Sequence, residues 1–304
     1  MRPVISATLA LLLALIALVG MRPDSVRGEN RQRVFHVLVA LCDNEHQGIL
    51  KVPVKIGNGD DADANLYWGC NEGIRSFFRR SASWKLVKRI PSPEPDILER
   101  VVFRHKTQRD VWLVADAYRG SKIRLCTERF LKAASGAGAE TLLIEQDVAA
   151  SAAPAASLTP DAKKYKLGER PALPALSPEN SIELTIGGDA ELIAYIGHNG
   201  LMDFTIEPSS LPVAVAGNKK PVILLCCAAT GYFSEPLRIA GAWPVLWTTD
   251  LMCPEAYTLE AALDGWLARK SPSAIADMAA AAYNKYQKCG FKPARRLLVN
   301  GSAP

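Results

Sequence analysis

Residues 192–200 carry the sequence LIAYIGHNG, and residues 221–231 carry PVILLCCAATG. Each stretch begins with a short apolar run and then turns to Gly or small residues, which is typical of a central strand in a parallel sheet that is covered on both faces. The first run delivers His198, and the second delivers Cys226 and Cys227. Because functional side chains gather beyond the carboxyl ends of such strands in open α/β sheets, these three residues are the first candidates for chemistry.

The rest of the chain alternates between runs of the same kind and helical patterns. Strands are predicted at 34–41, 98–103, 111–115, 142–145 and 243–248, and helices at 65–80, 121–134, 254–268 and 272–288. Such alternation implies crossover connections. We therefore predict an α/β fold of three layers, in which helices flank a mostly parallel sheet of about six strands, built as a single domain over residues 34–300.

Two segments fall outside this pattern. Residues 148–179 are rich in Ala, Pro, Ser and Lys and contain too little apolar surface to offset the entropy of ordering them, so we expect a flexible insertion. Residues 1–20 place Arg2 before an apolar run, which predicts a signal peptide or a short membrane anchor. We therefore expect a periplasmic, secreted or membrane-anchored protein, with membrane contact only through this segment. Translation from Met21 would instead give a cytoplasmic product.

Composition narrows the classes of partner. The 304 residues are 49% hydrophobic and 22% charged, as in ordinary globular proteins. The 36 Lys and Arg exceed the 31 Asp and Glu only slightly and are scattered along the chain, so no basic stripe for nucleic acid is present in the sequence. The seven cysteines include no CxxC pair, which argues against a structural zinc cluster.

The His198 and cysteine segments together predict a nucleophilic pair. Gly197 before His198, with Asn199-Gly200 after it, predicts a tight turn that projects the imidazole into a cleft, although a His that only caps the strand fits the same pattern. Adjacent strand residues point to opposite faces, so only one of the two cysteines can face the imidazole. An imidazole beside a thiol lowers the pKa of the thiol and creates a nucleophile.

The surroundings of the pair supply candidates for two further roles. Small residues after Cys227 leave room for a substrate carbonyl and for backbone N–H donors, and we take Gly197, Asn199 and Ala228 as oxyanion or cleft candidates. Asp43 and Asp116 follow predicted strands and are candidates for pocket acids that select a basic side chain. The alternative for both carboxylates is that they accept hydrogen bonds from the backbone of their own loops.

The segments GHNG and CCAATG resemble the catalytic His and Cys segments of the caspase-like cysteine peptidases, a clan that includes caspases, metacaspases, and gingipain-type and clostripain-type enzymes. The predicted order of strands and helices over about residues 34–270 is similar as well. The resemblance implies a peptide or protein substrate, no cofactor, His198 as general base and acid, and Cys227 rather than Cys226 as nucleophile. His-Asn in place of His-Gly, and a His-to-Cys separation of 227 − 198 = 29 positions, suggest a divergent, gingipain-like branch.

Two other classes of function remain open at this point. A catalytically inactive protein of the same fold would serve as a binding or scaffold module. A metal-dependent hydrolase would use His46, His198, Cys227 and Asp43, whose nitrogen, sulfur and oxygen atoms suit zinc. No closely spaced pair such as HxxxH supports that metal site, and the preferred hypothesis includes no metal.

Overall fold

A computed structural model describes residues 32–145 and 181–301 of the chain. The leader at 1–20 and the insertion at 148–179 lie outside the described residues. The described residues belong to one compact unit. Within the described ranges, no helix is both long and apolar enough to cross a lipid bilayer.

The described ranges contain ten strands and six α-helices. The strands are β1 (Arg33–Ala40), β2 (Trp84–Glu94), β3 (Ile97–His105), β4 (Val111–Tyr118), β5 (Glu140–Glu145), β6 (Ser181–Ile186), β7 (Leu192–Gly197), β8 (Pro221–Leu225), β9 (Trp243–Thr248) and β10 (Leu298–Val299). The helices are α1 (Ile74–Arg80), α2 (Ile123–Ala134), α3 (Ala229–Ile239), α4 (Ala256–Leu267), α5 (Pro272–Gln287) and α6 (Phe291–Leu297).

The main sheet has eight strands in the order β10-β9-β8-β7-β1-β4-β3-β2, and β5 pairs with β6 in a separate two-stranded sheet. The five central strands, β9 to β4, run parallel, while β3, β2 and β10 are antiparallel additions at the two edges. The prediction of a mostly parallel α/β sheet is confirmed. The predicted number of about six strands is wrong, because β2 and β10 extend the sheet at its edges.

Helices cover both faces of the main sheet. On one face, α1, α4, α5 and α6 pack their apolar side chains against the strands. On the other face lie α2 and α3, together with the ribbon of β5 and β6 over the β3–β4 side. Every residue of β7 is buried, which explains why its sequence is continuously apolar rather than alternating. The carboxyl ends of β1, β7, β8 and β9 all open at one edge of the sheet.

Several element predictions differ from the structure for local reasons. The helix predicted at 65–80 begins only at Ile74, because the Asn65 side chain binds the backbone of Cys42 and Asn58 and holds an irregular loop. The strand predicted to end before Asp116 continues to Tyr118, so Asp116 lies within β4. Helix α3 was not predicted, since Gly231 and Pro236 are both poor helix formers.

Candidate functional site

His198 and Cys227 lie at equivalent positions on neighbouring strands. Ile196 of β7 pairs with Leu225 of β8, and the two candidate residues each come two positions later. Gly197 makes the turn into His198 with φ of 137°, and a Cβ on this glycine would stand 2.6 Å from the carbonyl oxygen of Ala40. Only glycine fits such a backbone at that distance, so the sequence Gly197-His198 is required by the close approach of β7 to β1.

The two adjacent cysteines lie on opposite faces of the sheet, as predicted. Cys226 is fully buried in the cluster that contains Tyr195 and Phe233, and burial raises the pKa of its thiol far above the ordinary value. Cys227 is only partly buried and packs against the other cluster, with Ile223 and Leu225. The accessible thiol is therefore that of Cys227.

The Cys227 side chain contacts the loop that follows β9, and its backbone carbonyl contacts the loop that follows β7. Its Sγ accepts the Met252 N–H at 3.4 Å and stands 3.7 Å from the Met252 carbonyl oxygen. The Asn199 side chain donates Nδ2–H to the Cys227 carbonyl at 2.7 Å, which ties the His198 loop to the cysteine. No hydrogen bond joins the His198 imidazole to the Cys227 thiol in the described part of the chain.

His198 is held by a carboxylate that the sequence analysis did not assign. The Nε2 atom of His198 stands 2.8 Å from Oδ2 of Asp203, and the same oxygen accepts the Gly48 N–H at 2.9 Å. The imidazole is 5% exposed, and its backbone carbonyl accepts the Tyr195 hydroxyl at 2.8 Å. An ionised carboxylate only accepts hydrogen bonds, so the neutral imidazole bound to it is the tautomer with its proton on Nε2.

Asp203 was missed because it follows His198 by five residues and belongs to no recognised spacing. A signal was nevertheless present in the sequence. It is the only carboxylate between Glu191 and Glu207. The short 3₁₀ turn Gly200–Met202 brings it back beside the imidazole. A histidine and the single carboxylate of the same loop therefore indicate a candidate hydrogen-bonded pair.

The oxyanion candidates have different environments. The Ala228 N–H donates to the Asp250 carbonyl at 2.9 Å, so this donor is already used and the assignment of Ala228 needs correction. Ala228 itself has left-handed backbone angles, φ 49° and ψ 37°, directly before α3. The N–H groups of Asn199 and Cys227 donate no hydrogen bond to another described residue. Asn199 is fully buried, so the N–H of the partly buried Cys227, rather than that of Ala228, remains for a substrate oxygen. Gly197 serves as the turn.

Asp43 serves its own loop. Its Oδ1 accepts the N–H groups of Glu45 and His46, and its Oδ2 stands 2.9 Å from Nδ1 of His46. The side-chain hydrogen bond to Asp43 raises the pKa of the exposed His46 above its ordinary value. The Asp43 carboxylate thus accepts hydrogen bonds from its own loop. Its contacts do not support the prediction that it is a free pocket acid.

Asp116 lies on the opposite face of the sheet, and its assignment to the substrate cleft is wrong. Arg100 binds it with two hydrogen bonds, at 2.6 and 2.9 Å, and Nε2 of His36 stands 3.1 Å from it. These groups line a cavity of about 280 Å³ that also includes Glu140 and Arg129. Burial alone would raise the Asp116 pKa, but the hydrogen bonds from His36 and Arg100 outweigh it and leave the pKa below 3.8.

The metal hypothesis is not supported by the side-chain positions. Among residues 32–145 and 181–301, no three His, Cys, Asp or Glu side chains are grouped as ligands of one ion would be. His46 and Asp43 contact each other, whereas His198 is bound to Asp203. The four residues proposed as ligands therefore do not form one cluster.

A second thiol lies near the candidate nucleophile and is inert. Burial raises the pKa of the Cys42 thiol to about 11, although a hydrogen bond with Tyr67 opposes this shift. The buried Tyr67 also interacts electrostatically with Cys227, which places it beside the same site. Cys42 thus stays protonated at neutral pH.

The chain matches no protein-family model, no curated protein and no solved structure.

Proposed function

We propose that this protein is a cysteine-type endopeptidase of a divergent caspase-like kind. One observation carries the proposal: a partly exposed thiol and a carboxylate-bound imidazole end two adjacent parallel strands, at the edge of the sheet where α/β proteins place their sites. The Asn199 contact with the Cys227 carbonyl holds the two strand ends together. The sequence resemblance to caspase-like peptidases, with its His strand and Cys strand in succession, supports the same conclusion.

His198 and Cys227 have separate roles in the proposed reaction. Nδ1 of His198 accepts the thiol proton, and the Cys227 thiolate attacks the carbonyl carbon of the scissile peptide. The N–H group of Cys227 donates to the resulting oxyanion. The His198 imidazolium then protonates the leaving amine, and the peptide carbonyl stays on sulfur as a thioester. Water, deprotonated by His198, hydrolyses that thioester and restores the thiol.

Asp203 has the role of a positioning residue. It fixes the tautomer in which Nε2 carries the proton, so that Nδ1 is the basic nitrogen. It also stabilises the imidazolium that forms after the thiol loses its proton. Because Asp203 also accepts the Gly48 N–H, the carboxylate is itself held in place by the loop after β1.

The test is hydrolysis of a fluorescent-labelled, unfolded protein such as casein by the full chain under reducing conditions. We expect activity that is lost in Cys227→Ala and in His198→Ala and is kept in Cys226→Ala, whose thiol faces the other side of the sheet. Chelator should have no effect. Activity that survives Cys227→Ala would contradict the proposal.

A second candidate function rests on a specific observation. Sγ of Cys227 interacts with Met252 rather than with His198, as would be expected if the site only bound peptides. A binding protein of this kind would show no hydrolysis. Its Cys227 would react with iodoacetamide at the same pH dependence in wild type and in His198→Ala.

A further inference from the structure

Three large apolar side chains are exposed at the edge of the sheet that holds the candidate site. Leu50 is 89% exposed, Leu251 is 64% exposed and Met202 is 40% exposed. They follow β1, β9 and β7 respectively, and the carboxyl ends of these strands share one edge. We call these three residues the apolar rim.

Each rim residue is close in the chain to a group that contacts the candidate catalytic residues. Leu251 directly precedes Met252, whose N–H reaches Sγ of Cys227. Met202 directly precedes Asp203, which binds the imidazole. Leu50 comes two residues after Gly48, whose N–H donates to the same Asp203 carboxylate. The rim residues are thus one or two positions away in the chain from the groups that contact the thiol and hold the imidazole.

The rim is presented by ordered loops. Asn44 binds both the N–H and the carbonyl of Val52, which closes the loop that carries Leu50. The Asp203 N–H donates to Gly200, and the Leu251 N–H donates to its neighbour Asp250. Covering a large apolar side chain that is exposed next to a site removes apolar surface from water and so favours binding, and exposed apolar patches mark interaction surfaces.

We propose that the apolar rim selects peptides with large apolar side chains on both sides of the bond to be cleaved. This proposal rests on the endopeptidase function above. Cys227 attacks the carbonyl, so the residue that supplies the carbonyl lies on the Leu251 side. His198 protonates the leaving amine, so the residue that supplies the amine lies on the side of Met202 and Leu50.

The proposal replaces the expected preference for basic side chains. That expectation depended on Asp43 and Asp116 as free pocket acids. Asp43 is bound within its own loop, and Asp116 lies on the far face of the sheet. The rim offers apolar surface instead, and covering a leucine side chain is worth about tenfold or more in binding.

The experiment compares kcat/KM for internally quenched peptides that differ only at the two residues around the scissile bond: Leu-Leu, Arg-Leu and Leu-Arg. We expect Leu-Leu to exceed each of the others about tenfold. Leu251→Asp should remove only the preference at the carbonyl side, and Met202→Asp only that at the amine side. Val213→Asp is the matched control, since Val213 is 74% exposed and precedes β8 at the opposite edge.

Two measurements distinguish an incorrect rim proposal from an incorrect endopeptidase proposal. If the Arg peptides are cleaved as well as Leu-Leu, the rim proposal is wrong and the endopeptidase stands. If no peptide is cleaved, fluorescence anisotropy of the same peptides on the full-length chain decides the matter. Binding of Leu-Leu about tenfold tighter than of the Arg peptides supports the rim without hydrolysis, and equal binding overturns it.

Discussion

At the scale of single residues, Asp203 has the clearest expected effect. In Asp203→Asn the amide Nδ2–H would donate to Nε2 of His198, which places the proton on Nδ1 and removes the base from the thiol. We expect kcat to fall about 100-fold or more, while KM changes little. The check is peptide hydrolysis across pH.

The control for that variant is Glu207→Gln, which changes another carboxylate of the same loop that is exposed to solvent. It should hydrolyse at the wild-type rate. A wild-type rate in Asp203→Asn would show that Asp203 does not position the imidazole.

Ala228 bears a backbone strain that predicts different effects of two substitutions on stability. Its left-handed angles cost an alanine about 1 kcal/mol or more. Ala228→Gly relieves that cost but gains freedom in the unfolded chain, so urea unfolding should change by less than about 1 kcal/mol. Ala228→Val adds a β-branched side chain at positive φ and should lower the free energy of unfolding by more than about 1 kcal/mol. Equal stabilities would contradict the assigned backbone.

Some residues of the candidate site could be predicted from the sequence and others could not. His198 and Cys227 could be found because buried strands have an unmistakable composition and end in abrupt turns. Asp203 could not, since its position depends on a 3₁₀ turn that brings it back to the imidazole. Asp116 looked like a residue at a strand end, but buried ion-pair partners 16 and 80 positions away allow it to lie within β4.

At the scale of elements, the alternation along β8 predicts selective labelling. Cys226 is fully buried on one face of the sheet, whereas Cys227 is partly exposed on the other. In a Cys253→Ser, Cys289→Ser background, which removes the two exposed thiols, iodoacetamide at neutral pH should label Cys227 and leave Cys226 unlabelled. Peptide mass spectrometry reads the result. Labelling of Cys226 first would place the register of β8 one residue off.

Elements with strong periodicity or continuous apolarity were predicted well, and those shaped by distant contacts were not. The bounds of β7 and β9 agree with the prediction because both strands are buried by helices on the two faces. The partner of β5 was missed, because β6 is separated from it in sequence by more than 30 positions. β2 was missed too, because its exposed side is charged and two prolines interrupt its pattern.

At the scale of the whole molecule, Asp116 links stability to pH. Its folded-state pKa lies below the ordinary 3.8, so its contribution is fully present above about pH 4 and is lost as the pH falls through the lower folded value. Asp116→Asn leaves Arg100 short of a charge partner and should cost about 3–5 kcal/mol at pH 7. Its stability should also fall less steeply than that of wild type below about pH 4.

Urea unfolding at a series of pH values measures both effects. Asp110→Asn is the control, because Asp110 directly precedes the same strand, β4, but is exposed. It should keep the wild-type stability and the wild-type acid slope. Parallel curves for Asp116→Asn and wild type would contradict the assignment of a lowered pKa.

The two borders of the main sheet have a consequence for the behaviour of concentrated solutions. β10 offers only two residues to a visiting strand, and β2 bears Lys85, Lys88 and Arg89 followed by Pro91. Positive charge and a missing backbone donor discourage another chain from adding to a strand by hydrogen bonding. The two edges thus prevent another chain from extending the sheet. At high concentration the molecules should therefore remain separate and should not assemble into fibres through their sheet edges.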